Sequence, residues 1–239
     1  VLITRPEPYG TEFEAALRDF PGGDLPVILS PALKIEATGT LPDLAPYRWL
    51  IFTSRNGVRR FGELSDRRDI PAYAVGDATA DEARRLGLRA VSASGDAAAL
   101  LARIRKDEAS GPMLHLRGAH AAADLTGPLR EGGIAAEEAV IYTQTRAPLT
   151  NAAQACLAGK APVIAPLFSP RRAAALFDSP AVKAPIVALA ISQATAARIP
   201  AGAVQTLLVA STPDAQAMLR LWPEAVSAAN RLEGTKRAQ

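Results

Sequence analysis

Cysteine is almost missing from this chain of 239 residues: Cys156 stands alone. A single cysteine excludes an internal disulfide framework and a cysteine-based zinc site, and it suits a reducing cytosol. Cys156 itself reads as buried helix filler. Histidine is nearly as scarce, with only His115 and His120, five apart and without a cysteine or carboxylate at ligand spacing. No metal site is expected, and both histidines read as structural. Aromatic residues make up 5% of the chain, beside 49% hydrophobic and 21% charged residues, which is the balance of a globular protein rather than a disordered or fibrous one. Charge of one sign is missing too: 27 basic against 24 acidic side chains leave +3, spread along the chain. That pattern gives no clustered basic footprint for nucleic acid, while an anionic small molecule stays open. No apolar run nears the ~18 residues of a membrane helix; the longest, around 161–168 and 186–191, read as buried strands. Val1–Ile3 enter a strand-like segment without a basic-then-apolar leader, so no secretory signal is expected and a cytoplasmic location is. Gly-x-Gly-x-x-Gly, Walker and Gly-x-Ser-x-Gly motifs are also absent, which removes the specific signatures of dinucleotide, NTP and α/β-hydrolase chemistry. No cofactor is expected.

What the chain does contain is an alternation of short apolar runs with helical patterns of about ten residues, the signature of α/β folds whose parallel sheets are flanked by helices. Strands are predicted at 1–4, 26–29, 49–53, 72–75, 89–93, 113–116, 163–168, 186–191 and 206–210. Tyr9, Phe13 and Leu17 make one apolar helical stripe, and Leu100, Leu101 and Ile104 another. Asp96 and Pro213-Asp214 stand where helices are expected to start.

The second half of the chain resembles the first. Leu2-Ile-Thr-Arg5 matches Leu114-His-Leu-Arg117 at an offset of 117 − 5 = 112, and Leu17 then falls on Leu129 and Leu29 on Ile141. Phe52-Thr-Ser54 matches Leu167-Phe-Ser169 at 115, Asp77-Ala-Thr79-Ala matches Gln193-Ala-Thr195-Ala at 116, and Asp96 falls on Asp214 at 118. Registered pairs with a slowly growing offset point to duplication, and so to two similar lobes with a ligand crevice between them. Each copy also holds a long extended stretch, Val27–Glu36 and Glu138–Arg146. If the chain crosses at both, residues 1–36 join 147–239 in one lobe and 37–146 form an inserted lobe; residues after 222 lie outside the repeat and read as a polar tail.

Ligands of parallel α/β sheets sit at the carboxyl ends of strands, beside helix N-termini. Each copy places hydroxyls there: Thr53-Ser54 and Ser169 directly after strands, Thr79 and Thr195 in the first turns of the next helices. Helix capping is the plain alternative for any one of them. Arg5 and Arg117 end matching strands, while Arg55, Arg171 and Arg172 open matching helices. These could meet carboxylates of a ligand or pair with neighbouring acids such as Glu7 and Asp124. Tyr142 closes the second crossing segment, with a phenol able to give up a proton.

The motifs Leu2-Ile-Thr-Arg-Pro6, Ile51-Phe-Thr-Ser-Arg-Asn-Gly57, Ala74-Val-Gly-Asp-Ala-Thr-Ala80, Leu114-His-Leu-Arg-Gly118, Val140-Ile-Tyr-Thr-Gln144, Leu167-Phe-Ser-Pro170 and Ala190-Ile-Ser-Gln-Ala-Thr-Ala196 occur in this order over nearly the whole chain. Together they resemble the uroporphyrinogen-III synthase family. The resemblance implies two α/β lobes joined by a two-stranded ladder, and a cofactor-free closure of hydroxymethylbilane with inversion of ring D and loss of water. It implies Ser54, Thr79, Ser169 and Thr195, with adjacent backbone amides, as donors to the substrate's carboxylates, and Tyr142 as the group assisting hydroxyl departure; Arg5 and Arg117, read from their places at matching strand ends, are expected as further substrate contacts. Ser192 departs from the family, which often has glycine there. The implied partner is this small polyanion alone, without nucleic acid or membrane, and the expected form is a monomer. The rival reading is a non-catalytic two-lobed binder or sensor of an anionic small molecule; a third is an inactive relative serving in a larger assembly.

Overall fold

Strands and helices alternate along the computed structural model, which describes residues 1–120, 123–179 and 182–237. The chain opens with β1 (Leu2–Ile3), α1 (Tyr9–Leu17), β2 (Ile28–Leu29) and β3 (Leu33–Ala37). There follow β4 (Trp49–Phe52), α2 (Arg55–Leu64), β5 (Ala72–Ala74), α3 (Asp77–Arg85), β6 (Ala90–Ser92), α4 (Ala97–Lys106), β7 (Met113–Gly118), α5 (Thr126–Glu131) and β8 (Ala136–Arg146). The last stretch holds α6 (Asn151–Ala158), β9 (Val163–Leu167), α7 (Pro170–Phe177), β10 (Ile186–Ala190), α8 (Gln193–Ala196), β11 (Thr206–Val209), α9 (Ala215–Arg220) and α10 (Trp222–Arg237). Contacts divide the chain into two units, Ile35–Thr145 and the discontinuous Val1–Lys34 with Arg146–Gln239.

The continuous unit is built on a six-stranded sheet in the order β3-β8-β7-β4-β5-β6, with β7, β4, β5, β6 and β8 joined in parallel pairs. Alternate residues of each strand face opposite ways, so a strand that is apolar throughout feeds two cores. Leu50, Phe52, Leu114 and Leu116 pack with Val58 and Phe61 of α2 on one face. Ile51, Tyr73 and Met113 pack with Leu100 and Ile104 of α4 and Leu129 of α5 on the other. Each such side chain contributes roughly 1.5–3 kcal/mol by leaving water.

The discontinuous unit repeats the plan with β1 parallel to β2 and β9, β10 and β11 parallel to one another, while β1 runs beside β9. Ile3, Ile164, Val187 and Leu189 meet Phe13 and Met218 on one side; Leu2, Val163, Ala165, Leu167 and Ile186 meet Leu157 and Leu176 on the other.

Two expectations are corrected. The residues after 222 are no polar tail: they form α10, whose Trp222, Ala225 and Ala228 are buried, with Leu232 packed against the same cluster. Small alanines carry most of this stripe, so its helical period is faint in hydropathy. The extended stretch 27–36 is two strands, β2 and β3, separated at Ser30-Pro31. Proline brings no N–H to a ladder, and Ser30 is taken up by accepting the Thr150 amide at 2.9 Å.

Candidate active site

In the continuous unit the strand order reverses between β4 and β7, since β5 and β6 follow on one side and β7 and β8 on the other. Such a reversal opens a crevice at the carboxyl ends of the strands. Ser54, directly after β4, has extended backbone and caps α2, its Oγ accepting from the Asn56 amide at 3.2 Å. The cap uses an oxygen lone pair and leaves the hydroxyl proton to be donated elsewhere. Thr79 sits in the first turn of α3 and is buried, its amide donating to the Gly76 carbonyl at 3.0 Å.

Tyr142 is aimed by a bulge. Arg117 pairs with Val140 and the next residue, Gly118, with Tyr142, so Ile141 is the extra residue in β8. The bulge breaks the alternation of faces: Ile141 and Tyr142 are consecutive and both buried, Tyr142 being 6% exposed. The ring lies against Gly118, where a Cβ would stand 2.6 Å from Cε2 and 3.0 Å from the phenol oxygen. Only glycine leaves that space. The phenol therefore lies at the carboxyl end of β7.

Arg117 is spoken for. Its Nη2 and Nε donate to the two carboxylate oxygens of Glu138 at 2.5 and 2.9 Å, and Nη1 donates to the Gly118 carbonyl at 2.9 Å. This bidentate pair holds the Glu138 carboxyl below the usual carboxylate range and raises Arg117 further. The sequence weighed Asp124 as a partner; the cross-strand acid Glu138 holds the arginine instead, because β7 and β8 set it within reach.

In the discontinuous unit Arg5 follows β1 and is 9% exposed, its guanidinium 3.8 Å from the Phe168 ring centroid and 5.6 Å from that of Tyr9. Stacking on aromatic faces lets a buried guanidinium keep favourable partners. Ser169 caps α7 through the Arg172 amide at 3.3 Å, with Pro170 in the first helical turn. Thr195 is fully buried in α8; Ser192 accepts its amide at 3.3 Å and lies 3.2 Å from its hydroxyl. In the other copy Gly76 stands at this cap and offers no side chain. Ser192 is thus an added cap that engages Thr195.

Among the described residues no group of three or more His, Cys, Asp or Glu could hold a metal ion, and no helix is long and apolar enough to cross a membrane. Sequence reasoning missed Glu138, Gly118 and a contact between His115 and Thr53, whose Nε2 and Oγ1 lie 3.3 Å apart. The first two depend on strand register; only the Gly after the Leu-His-Leu-Arg run hinted at a close approach.

The family model described as uroporphyrinogen-III synthase HemD matches residues 18–220. The chain belongs to the uroporphyrinogen-III synthase family. Its fold is also that of solved synthases. The crystal structure of uroporphyrinogen-III synthetase from Helicobacter pylori is similar with a TM-score of 0.65 and 23% identity, covering 84% of this chain and 93% of that one. A mutant uroporphyrinogen III synthase from the extremely thermophilic bacterium Thermus thermophilus is similar with a TM-score of 0.55 and 15% identity, over 95% and 98% of the two chains. No curated protein matches the sequence. Uroporphyrinogen-III synthases are cyclising lyases of tetrapyrrole biosynthesis that act on hydroxymethylbilane, and this is the activity of the chain.

Proposed function

We propose that the chain closes hydroxymethylbilane to uroporphyrinogen III with inversion of ring D, using its own side chains and no cofactor. Tyr142 gives its phenolic proton to the terminal hydroxyl, which leaves as water. The α-carbon of ring D that already bears the bridge to ring C bonds to the methylene carbon the hydroxyl has left, giving a spiro centre. The bond from that centre to the ring C bridge then breaks, the bridge carbon bonds instead to the free α-carbon of ring D, and the hydrogen of that carbon returns as a proton to the Tyr142 phenolate. The observation that carries the reading is the aim of Tyr142: a bulge at Ile141 and the glycine at 118 set its phenol at the carboxyl end of β7.

Eight carboxylates make the substrate a polyanion, and charge-assisted hydrogen bonds of about 1.5–3 kcal/mol each hold it without a strongly basic protein. Ser54 and Ser169 are the donors we favour, each with a hydroxyl proton left over after capping. Thr79 and Thr195 are buried and support the same helix starts from within. Arg5 and Arg117, engaged with Phe168 and Glu138, order the ends of β1 and β7 behind those donors. Catalysis is then largely orientation, since holding the bilane so that the inverted attack lies closer than the simple one selects the product. We further propose a cytoplasmic monomer with no nucleic-acid or membrane partner, in keeping with one cysteine and a net charge of +3.

The decisive experiment incubates the protein with hydroxymethylbilane, oxidises the products and compares isomers. The III isomer is expected; the I isomer alone would mean a non-catalytic binder of the same anion. In the same assay Tyr142→Phe should turn over about 10²–10⁴-fold more slowly while still yielding III, because general acid help is worth that much and orientation survives. A variant as fast as the parent would remove the proton from Tyr142.

A further inference from the structure

Where the strand order reverses, the two copies of the repeat differ in kind. The discontinuous unit carries Ile3 and Phe168 there, members of a single apolar cluster. Their counterparts at offsets of 112 and 115 are His115 and Thr53, and Nε2 of the one lies 3.3 Å from Oγ1 of the other. The fold itself does not call for a polar pair at this place, since its other copy is built with an apolar one.

His115 is 1% exposed, opposite Ile51 on β4 and Glu138 on β8. Its Nδ1 has no hydrogen-bond partner among the described residues. An orphaned buried N–H is rarer and costlier than an orphaned lone pair, which assigns the ring proton to Nε2. The imidazole is neutral near pH 7: burial first, then Arg117, pushes its pKa down to about 4, against opposing pulls from Glu138 and Asp124. With its only proton on Nε2, His115 donates to Thr53 Oγ1, and the threonine's own hydrogen has to point elsewhere. Thr53 is half-buried, between the last residue of β4 and the α2 cap Ser54.

We propose that His115 is a positioning residue, which fixes the Thr53 hydroxyl as a donor to a substrate carboxylate beside Ser54. The proposal rests on the synthase reading above. Losing one charge-assisted hydrogen bond that is equally strong in ground and transition states raises KM by about tenfold and spares kcat. Thr53→Val is therefore expected to raise KM for hydroxymethylbilane about tenfold with kcat within about twofold, and Thr53→Ser to restore it. His115→Leu should raise KM in the same way, His115→Gln should recover most of the loss, and the double variant His115→Leu/Thr53→Val should be no worse than Thr53→Val alone. Parent-like KM in His115→Leu, or losses that multiply in the double variant, would overturn the link. Should His115→Leu not fold, ¹⁵N NMR of the parent's histidines decides: a bare Nδ1 and protonated Nε2 on His115 are expected, and the opposite tautomer overturns the proposal. Failure of the synthase reading shows separately, as a parent protein that yields only the I isomer.

Discussion

A buried imidazole makes folding depend on pH in a definite direction. Unfolded, His115 takes up a proton near its ordinary value of 6.5; folded, it resists until about 4. Between those values the unfolded chain binds more protons, so stability is full above pH 6.5 and declines as the pH falls through that window. The loss reaches about 3 kcal/mol by pH 4, from 1.36 kcal/mol per unit. Arg117, Glu138 and Asp124 surround the ring electrostatically, and both acids lie below the usual carboxylate range, so they stay charged through most of the window. Urea unfolding at pH 7 and 4.5 should show the decline in the parent and much less of it in His115→Leu; equal declines would place the acid sensitivity in other groups. From the sequence, His115 reads as a structural histidine. The signal that could have marked it was present: the repeat sets His115 on Ile3 and Thr53 on Phe168. What the sequence lacked was the strand register that brings those two polar groups together.

Among elements, all nine predicted strands are present, with ends shifted by at most two residues, because they are short apolar runs, of which β5, β9 and β10 are buried on both faces. The hydroxyls flagged at strand ends split by position. Ser54 and Ser169 follow strands and become caps, whereas Thr79 and Thr195, two or three residues into helices, turn inward. Faces of this kind follow from helix phase, which short segments such as α8 leave undetermined. The bulge at Ile141 was likewise hidden, since an extra residue in β8 leaves the hydropathy of Val140-Ile-Tyr-Thr unchanged. Its consequence is testable at Gly118. A methyl group there would meet Tyr142 Cε2 at 2.6 Å and Cζ at 2.7 Å in a packed cluster, so the ring has to move. Gly118→Ala is expected to cost about 1–3 kcal/mol in denaturant unfolding and to slow turnover at least as much as Tyr142→Phe. Parent-like turnover would separate the glycine from the aim of the phenol.

At the scale of the molecule, duplication was the most legible feature, because matching motifs at strand ends keep their register over half the chain. Whether each unit folds by itself is a separate matter, and we propose that the continuous one does. It owns both faces of its sheet, with the Leu50–Phe52–Leu116 cluster on one and the Ile51–Tyr73–Met113 cluster on the other. Its two ends leave through β3 and β8, neighbours at one edge of the sheet, so excision cuts no inner strand. A segment of residues 33–146 keeps both strands whole and has the size of an ordinary domain. Expressed alone it should show a dispersed amide spectrum and one cooperative melting transition, while making no III isomer, since the proposed donor Ser169 lies outside it. A disordered spectrum would mean that residues beyond 33–146 supply stability that the two clusters do not.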